Sequence, residues 1–308
     1  MTVINNQPLG IIGGVTNAGS LKNWGEEVTA GWTQRLSHDV TLRLSGNITF
    51  MNNKVDALSP LLAGGKIIRS SQNNGQQASY TQPGYPIAYF YGYAQQGIYQ
   101  SQQDISGSPD ASSIGTYHPG DFKFKDVNGD GKIDVDDRTK IGNPSPSAIY
   151  GGSVGVTWKH FDLGVDVGGV YGNQIFRTWA ALESPYQFVN YAAFQINRWH
   201  GAGTSNKVPQ VNSGERYNYV GSTYSIESGA YFRLRNIQLA YNFDTKMLSK
   251  AYIKNLRIFA NVQNLKTWRH NHGFSPEFPG DATSFGIDYG KSNSALPMIT
   301  SLGLSVTF

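Results

Sequence analysis

Cysteine is absent from this chain of 308 residues. No disulfide holds it, and the absence assigns no compartment, because envelope proteins can fold without disulfides. Long apolar runs are missing too. Nothing approaches the roughly 18 residues a transmembrane helix requires, 39% of residues are hydrophobic and the mean hydropathy is −0.37. Charge is sparse, at 15% of residues, and the net charge of +4 comes from scattered basic groups. That scatter argues against the basic stripe of a nucleic-acid-binding surface. The start, Met1-Thr2-Val3-Ile4-Asn5, has no basic segment followed by an apolar one, so no secretory signal is read there. What is plentiful is Gly (36), Tyr (18), Phe (15) and asparagine. Such residues suit strands, tight turns and aromatic belts. Composition alone fits a soluble all-β protein as well as a membrane barrel.

Period-2 alternation at bilayer length favours the barrel. At the end of the chain Met298, Thr300, Leu302, Leu304, Val306 and Phe308 alternate with Ile299, Ser301, Gly303, Ser305 and Thr307. This is about the 9 to 11 residues a tilted strand needs to cross a bilayer. Val40, Leu42, Leu44, Ile48 and Phe50 alternate with Thr41, Arg43, Ser45, Asn47 and Thr49, which turns Arg43 and Asn47 inward to water. Val154 to Trp158 and Phe161 to Val167 alternate about a hairpin at Lys159 and His160. Ile237 to Phe243 and Leu256 to Val262 follow, with Phe259 out of pattern. Weaker strands at Asn23 to Leu36 and Pro86 to Tyr99 bring the expected count to about eight. The reading is an all-β, antiparallel transmembrane β-barrel segment, apolar outside and polar inside.

The connections are unequal. Short turns are expected at Ser37 to Asp39, Lys159 to His160 and Asp244 to Ile253. Long loops are expected at Asn53 to Gly84, Ser101 to Ser147, Asn173 to Gly229 and Lys266 to Leu296. Barrels of this kind keep short turns in the periplasm and long loops outside. If Phe308 ends in the periplasm, parity puts the loop before Ala148 on the outer side. Trp179 to Trp199 has helical spacing at Phe188, Tyr191, Ala192 and Gln195, so a helix is expected there.

One long loop carries Asp126-Val127-Asn128-Gly129-Asp130-Gly131-Lys132-Ile133-Asp134-Val135-Asp136-Asp137. A hard cation such as Ca²⁺ takes oxygens from positions 1, 3, 5, 7, 9 and 12 of a loop of this kind. These are Asp126, Asn128, Asp130, the Lys132 carbonyl, Asp134 and Asp137, with Gly131 at the sharp turn and Ile133 as the apolar anchor. The last position is aspartate where glutamate is usual. An acidic turn without an ion is the alternative.

From Pro119-Gly120-Asp121-Phe122-Lys123-Phe124-Lys125-Asp126 through Asp134, then Ile141-Gly142-Asn143-Pro144-Ser145-Pro146, the chain resembles the carboxy-terminal part of SusC/RagA-type TonB-dependent transporters of Bacteroidota outer membranes. Tyr150-Gly151-Gly152, Gly169-Val170-Tyr171-Gly172-Asn173, Leu234-Arg235-Asn236-Ile237, Asn261-Val262-Gln263-Asn264-Leu265 and the terminal strand carry the same resemblance. It implies a fragment of a larger, 22-stranded barrel that is plugged and non-catalytic and imports large nutrients, glycans or peptides. It implies as partners a SusD-like surface lipoprotein, TonB acting through an amino-terminal part not seen in this chain, and outer-membrane lipid. Residues 1–308 would be the carboxy-terminal barrel part, without plug domain or signal peptide, and Phe308 would end the assembly signal.

Other signals carry less. Gly151-Gly152-Ser153-Val154-Gly155 matches the nucleophile-elbow pattern, but its serine sits inside an expected strand where no elbow forms. His270 and His272 are two ligands without a third. Tyr80, Tyr85, Tyr89, Phe90, Tyr91, Tyr93 and Tyr99 suit loop packing or a girdle better than sugar stacking. Trp179, Tyr186, Trp199, Tyr217 and Tyr219 are the candidates for substrate or partner contact. Two other folds stay open on the residues alone: a small eight-stranded passive barrel or adhesin, and a soluble Ca²⁺-dependent carbohydrate-binding β-sandwich.

Overall fold

The computed structural model describes residues 17, 19–60, 68–69, 72–73, 76–178, 192–211, 217–244, 252–278, 280–290 and 295–308. Its frame is a seven-stranded sheet. The strands are β1 (Gly19–Arg35), β2 (Val40–Leu58), β3 (Ala148–Trp158), β4 (Phe161–Tyr171), β5 (Tyr231–Asn242), β6 (Asn255–Arg269) and β7 (Ile299–Thr307). Each pairs antiparallel with its neighbours in sequence, so order along the sheet is order along the chain. The up-and-down meander is the topology of a barrel wall. Among the described residues the sheet is open, with β1 and β7 as its edges.

Register decides which side chains share a face. Val154 lies between Leu44 and Val165, and Leu239 between Leu163 and Ala260. Leu44, Val154, Leu163, Leu239, Ile258, Leu302 and Leu304 are all exposed. A soluble sandwich would bury such a face, whereas a bilayer-facing wall leaves it open. Aromatics frame this band at both ends. Toward the short turns stand Trp32, Trp158, Phe161 and Tyr241, with ring centroids 6.1 Å apart for Trp158–Phe161 and 4.8 Å for Phe161–Tyr241. Toward the long connections stand Trp24, Phe50, Tyr171 and the Phe232–Trp268 pair at 5.5 Å.

Residues 36–39 and 159–160 make tight turns at one end. Trp158 pairs with Phe161, which leaves Lys159 at φ +53° in a two-residue hairpin as the sequence leads one to expect. All the long connections, 59–147, 172–230 and 270–298, leave the other end. Parity thus holds, but the count of eight does not: Pro86 to Tyr99 is no wall strand. It holds two short strands, Tyr89–Gly92 and Gln95–Ile98, inside the first long connection. The run Tyr89-Phe90-Tyr91, followed after Gly92 by Tyr93, lacks the polar alternate that an inner wall face requires.

The connections pack on one another into a cap. Tyr93, Ile98, Ala111, Phe122, Phe124, Ile133 and Tyr217 form one buried cluster, and Ala78, Phe90, Phe176 and Ile287 another. Every one of the largest fully buried side chains, Tyr89, Tyr99, Tyr217, Phe90, Phe122 and Phe124 among them, lies in the cap. Burial contributes about 1.5–3 kcal/mol for each large apolar side chain. Apolar collapse therefore shapes the loops, whereas hydrogen-bonded ladders shape the wall. Of the helix expected over Trp179 to Trp199, residues 179–191 lie outside the described residues, and Ala193–Asn197 is a single 3₁₀ stretch.

Candidate functional site

The polar face of the wall carries two hydrogen-bonded ladders, one about Asp162 and one about Asp166. Thr157 donates to Asp162 Oδ1 (2.8 Å) and Asn242 to Asp162 Oδ2 (2.7 Å), while Arg43 donates to Thr157 (3.1 Å). Ser153 donates to Asp166 Oδ1 (2.6 Å) and Asn236 to Asp166 Oδ2 (3.1 Å). Each carboxylate on β4 is held by hydrogen bonds from both neighbouring strands. Ser153 is thereby a mid-strand ladder residue and no nucleophile elbow exists.

A bulge on β5 falls between Leu234 and Asn236. It re-aims Arg235 so that its guanidinium lies over Gly168, on the same face as Asn236. Phe259, out of pattern in the sequence, turns to this face as well. Its ring fills the space above Gly303, where any side chain would strike it. The bulge has a sequence signal in hindsight, adjacent polar residues Arg235-Asn236 inside an alternating strand.

At the mouth of the wall the cap is fastened by carboxylates. Glu277 accepts from Tyr231 Oη (2.7 Å) and from Arg233 (3.0 Å), and Arg233, nearly fully buried, also donates to Thr267 (2.9 Å). Burial works to raise the Glu277 carboxyl, but the hydrogen bonds from Arg233 and Tyr231 and the Arg233 charge outweigh it and hold it below the usual range. Glu227 pairs with Arg177 (2.8 Å) and with His272 Nδ1 (2.8 Å), joining two connections. His272 is thus tied to a carboxylate and does not face His270 as a metal pair. Asp121, buried in the cap, accepts from Asn218 (2.6 Å), Gln210 (3.1 Å) and the His118 amide (2.7 Å). None of these three carboxylate anchors was visible in the sequence, because their partners lie far apart along the chain.

The acidic loop is ordered around its own backbone. Asp126 accepts from Gly129 and Gly131 N–H (2.6 and 2.9 Å), Asn128 from Asp130 N–H (3.0 Å), Asp130 from Lys132 N–H (2.9 Å) and Asp134 from Asp136 N–H (2.8 Å). Buried Asp137 closes the loop by accepting from Val127 and Asp134 N–H (2.7 and 2.8 Å). Gly129 and Gly131 take φ of +78° and +82°, and fully buried Ile133 anchors the loop in the cap core as expected. Among the described residues no group of three or more His, Asp or Glu stands as a metal would gather it.

Of the candidate contact aromatics, Trp179 and Tyr186 lie outside the described residues. Tyr217 is a buried core residue, and Trp199 packs on that core with its indole N–H donating to Gln100 (3.2 Å). Tyr217 and Trp199 are therefore held by packing. Tyr219 sits half-buried in the 3₁₀ turn Tyr217–Tyr219. Burial pushes the Tyr99 phenol up to about 12, aided by nearby Tyr117, and pushes Tyr217 up further. Phe308 is exposed at the end of β7.

An amphipathic antiparallel wall, aromatic belts, a polar inner ladder and a folded cap at one end define a segment of an outer-membrane-type β-barrel. Comparison with known proteins agrees. No known family profile matches the chain. It is 28% identical over 295 residues to TonB-dependent receptor P3 of Formosa agariphila, covering 92% of this chain and 28% of the relative. It is 26% identical over 301 residues to TonB-dependent receptor SusC of Bacteroides thetaiotaomicron, covering 95% and 27%. Among solved structures, the RagAB peptide transporter superposes with a TM-score of 0.72 at 18% identity, covering 97% of this chain and 30% of that one. The chain is therefore similar, over nearly its whole length, to SusC/RagA-type TonB-dependent receptors, and it spans less than a third of the length of each. These relatives are receptors and transporters by name, and none is named for a catalytic activity.

Proposed function

We propose that this chain forms the carboxy-terminal part of the wall and outer cap of an energy-coupled outer-membrane importer of large nutrients, glycans or peptides, without catalytic chemistry. The exposed apolar face framed by aromatic belts carries the reading, together with long connections confined to one end. In it a SusD-like surface lipoprotein meets the cap, TonB acts through an amino-terminal part, and Phe308 ends the assembly signal. Deleting the coding segment from its source bacterium tests it: growth on an oligomeric nutrient is lost while growth on the monomer persists. Growth unchanged on every oligomer tried overturns it.

In the same reading the loop Asp126–Asp137 takes Ca²⁺ on Asp126, Asn128, Asp130, the Lys132 carbonyl, Asp134 and Asp137. All are hard oxygen donors at the spacing such an ion uses. Titration calorimetry of chelator-stripped protein should show one Ca²⁺ site that Asp126→Asn together with Asp130→Asn removes. Absence of heat in the unaltered chain sinks the assignment.

A further inference from the structure

A hollow of about 660 Å³ opens between the loop end of β1–β2 and the cap, lined by Asn23–Glu27, Thr49–Asn53, Ile87, Ser145, Pro146 and Phe285. Its size falls within the range of roughly 300–1,000 Å³ typical of ligand sites. Alternation assigns the wall's contribution. Gly25 pairs with Met51, Asn23 with Asn53 and Glu27 with Thr49. All six belong to the face that carries Arg43 and Asn47, and Glu26 belongs to the other face with Phe50. Gly25 leaves the middle of the patch empty, and a side chain there would strike the Phe50 carbonyl.

The polar groups in the hollow are not equally free. Asn53 is spent on the cap, donating to Ser145 Oγ (2.9 Å) and accepting from Ile87 N–H (2.8 Å). Those bonds fix the hollow's floor. Glu27 enters none of the ion pairs among the described residues, and no lysine, arginine or histidine lines the hollow. What remains is the inward carboxylate of Glu27, flanked by Asn23 and Thr49 with Glu26 at the rim, beside an apolar strip of Met51, Ile87, Pro146 and Phe285. The stem of a lysine or arginine side chain matches the strip, and its charged head matches Glu27.

We infer that this hollow is a subsite for a basic side chain of an extended peptide, with Glu27 as the residue that selects it. The inference rests on the importer reading and narrows its substrate. The test uses the full chain in detergent and fluorescent Ala/Gly peptides of one length, carrying a single lysine, norleucine or glutamate. Anisotropy should show the lysine peptide bound about tenfold more tightly than the norleucine one, a preference Glu27→Gln erases and Asp56→Asn, outside the lining and on the opposite face of β2, leaves intact. Equal affinity for the lysine and norleucine peptides, failure of the lysine peptide to bind, or a preference surviving in Glu27→Gln overturns the subsite. A soluble glucan oligomer that binds where peptides do not overturns it too, yet leaves the importer reading standing.

Discussion

Single side chains divide by what surrounds them. Asp166 serves Ser153 and Asn236 at once, so Asp166→Ala strands two donors on a partly buried face. The expected cost is about 1–3 kcal/mol, seen as a lower unfolding midpoint in detergent, with Asp166→Asn milder because one acceptor oxygen survives. Tyr99 reports on the cap. Its phenol stays neutral when folded, whereas in the unfolded chain it ionises near its ordinary value of 10.0. A raised folded value means the stabilisation is whole below pH about 10 and is lost as pH climbs through about 12. Ultraviolet titration of phenolate should therefore show late-ionising tyrosines that become ordinary once the cap is unfolded.

The strands and turns were the parts a reader of the sequence could find, because a two-sided wall writes its period directly into the chain. The Lys159–His160 hairpin is the sharpest case, and it carries a strain: Lys159 holds φ +53°, which costs a side-chain-bearing residue and not glycine. Lys159→Gly should raise the thermal midpoint, by up to about 1 kcal/mol equivalent, and Lys159→Val should lower it. What escaped the reading follows other rules. Phe259 looked like an error of pattern until Gly303 on the neighbouring strand gave its ring a seat. Pro86 to Tyr99 looked like a strand of the wall because aromatic residues favour strands anywhere, yet it folds into a core made with residues 122–133 and 217–224. The acidic loop was found by spacing, its apolar anchor Ile133 included. The anchors Glu277, Glu227 and Asp121 were not, since pairs such as Arg233 with Glu277 leave no local trace.

In the proposed barrel the wall meets lipid on one face and water on the other, and substitutions should sort accordingly. Leu239 and Gln238 are adjacent on β5 but face opposite ways, Leu239 exposed on the apolar side. In lipid vesicles Leu239→Arg should cost about 2–4 kcal/mol if it lies near the midplane, while Gln238→Arg should cost little, as denaturant midpoints will show. In water alone the free edges of β1 and β7 and the open apolar face should drive association. One consequence reaches into time. The second cluster of the cap joins Ala78 and Phe90 to Phe176 and Ile287, so its closing member is made only just before β7. Hairpins can zip one after another as the chain emerges, but the cap must wait for nearly the last residues. The cap is thus completed only alongside the last wall strand, and a polypeptide ending before Ile287 would lack both β7 and the closing member of that cluster.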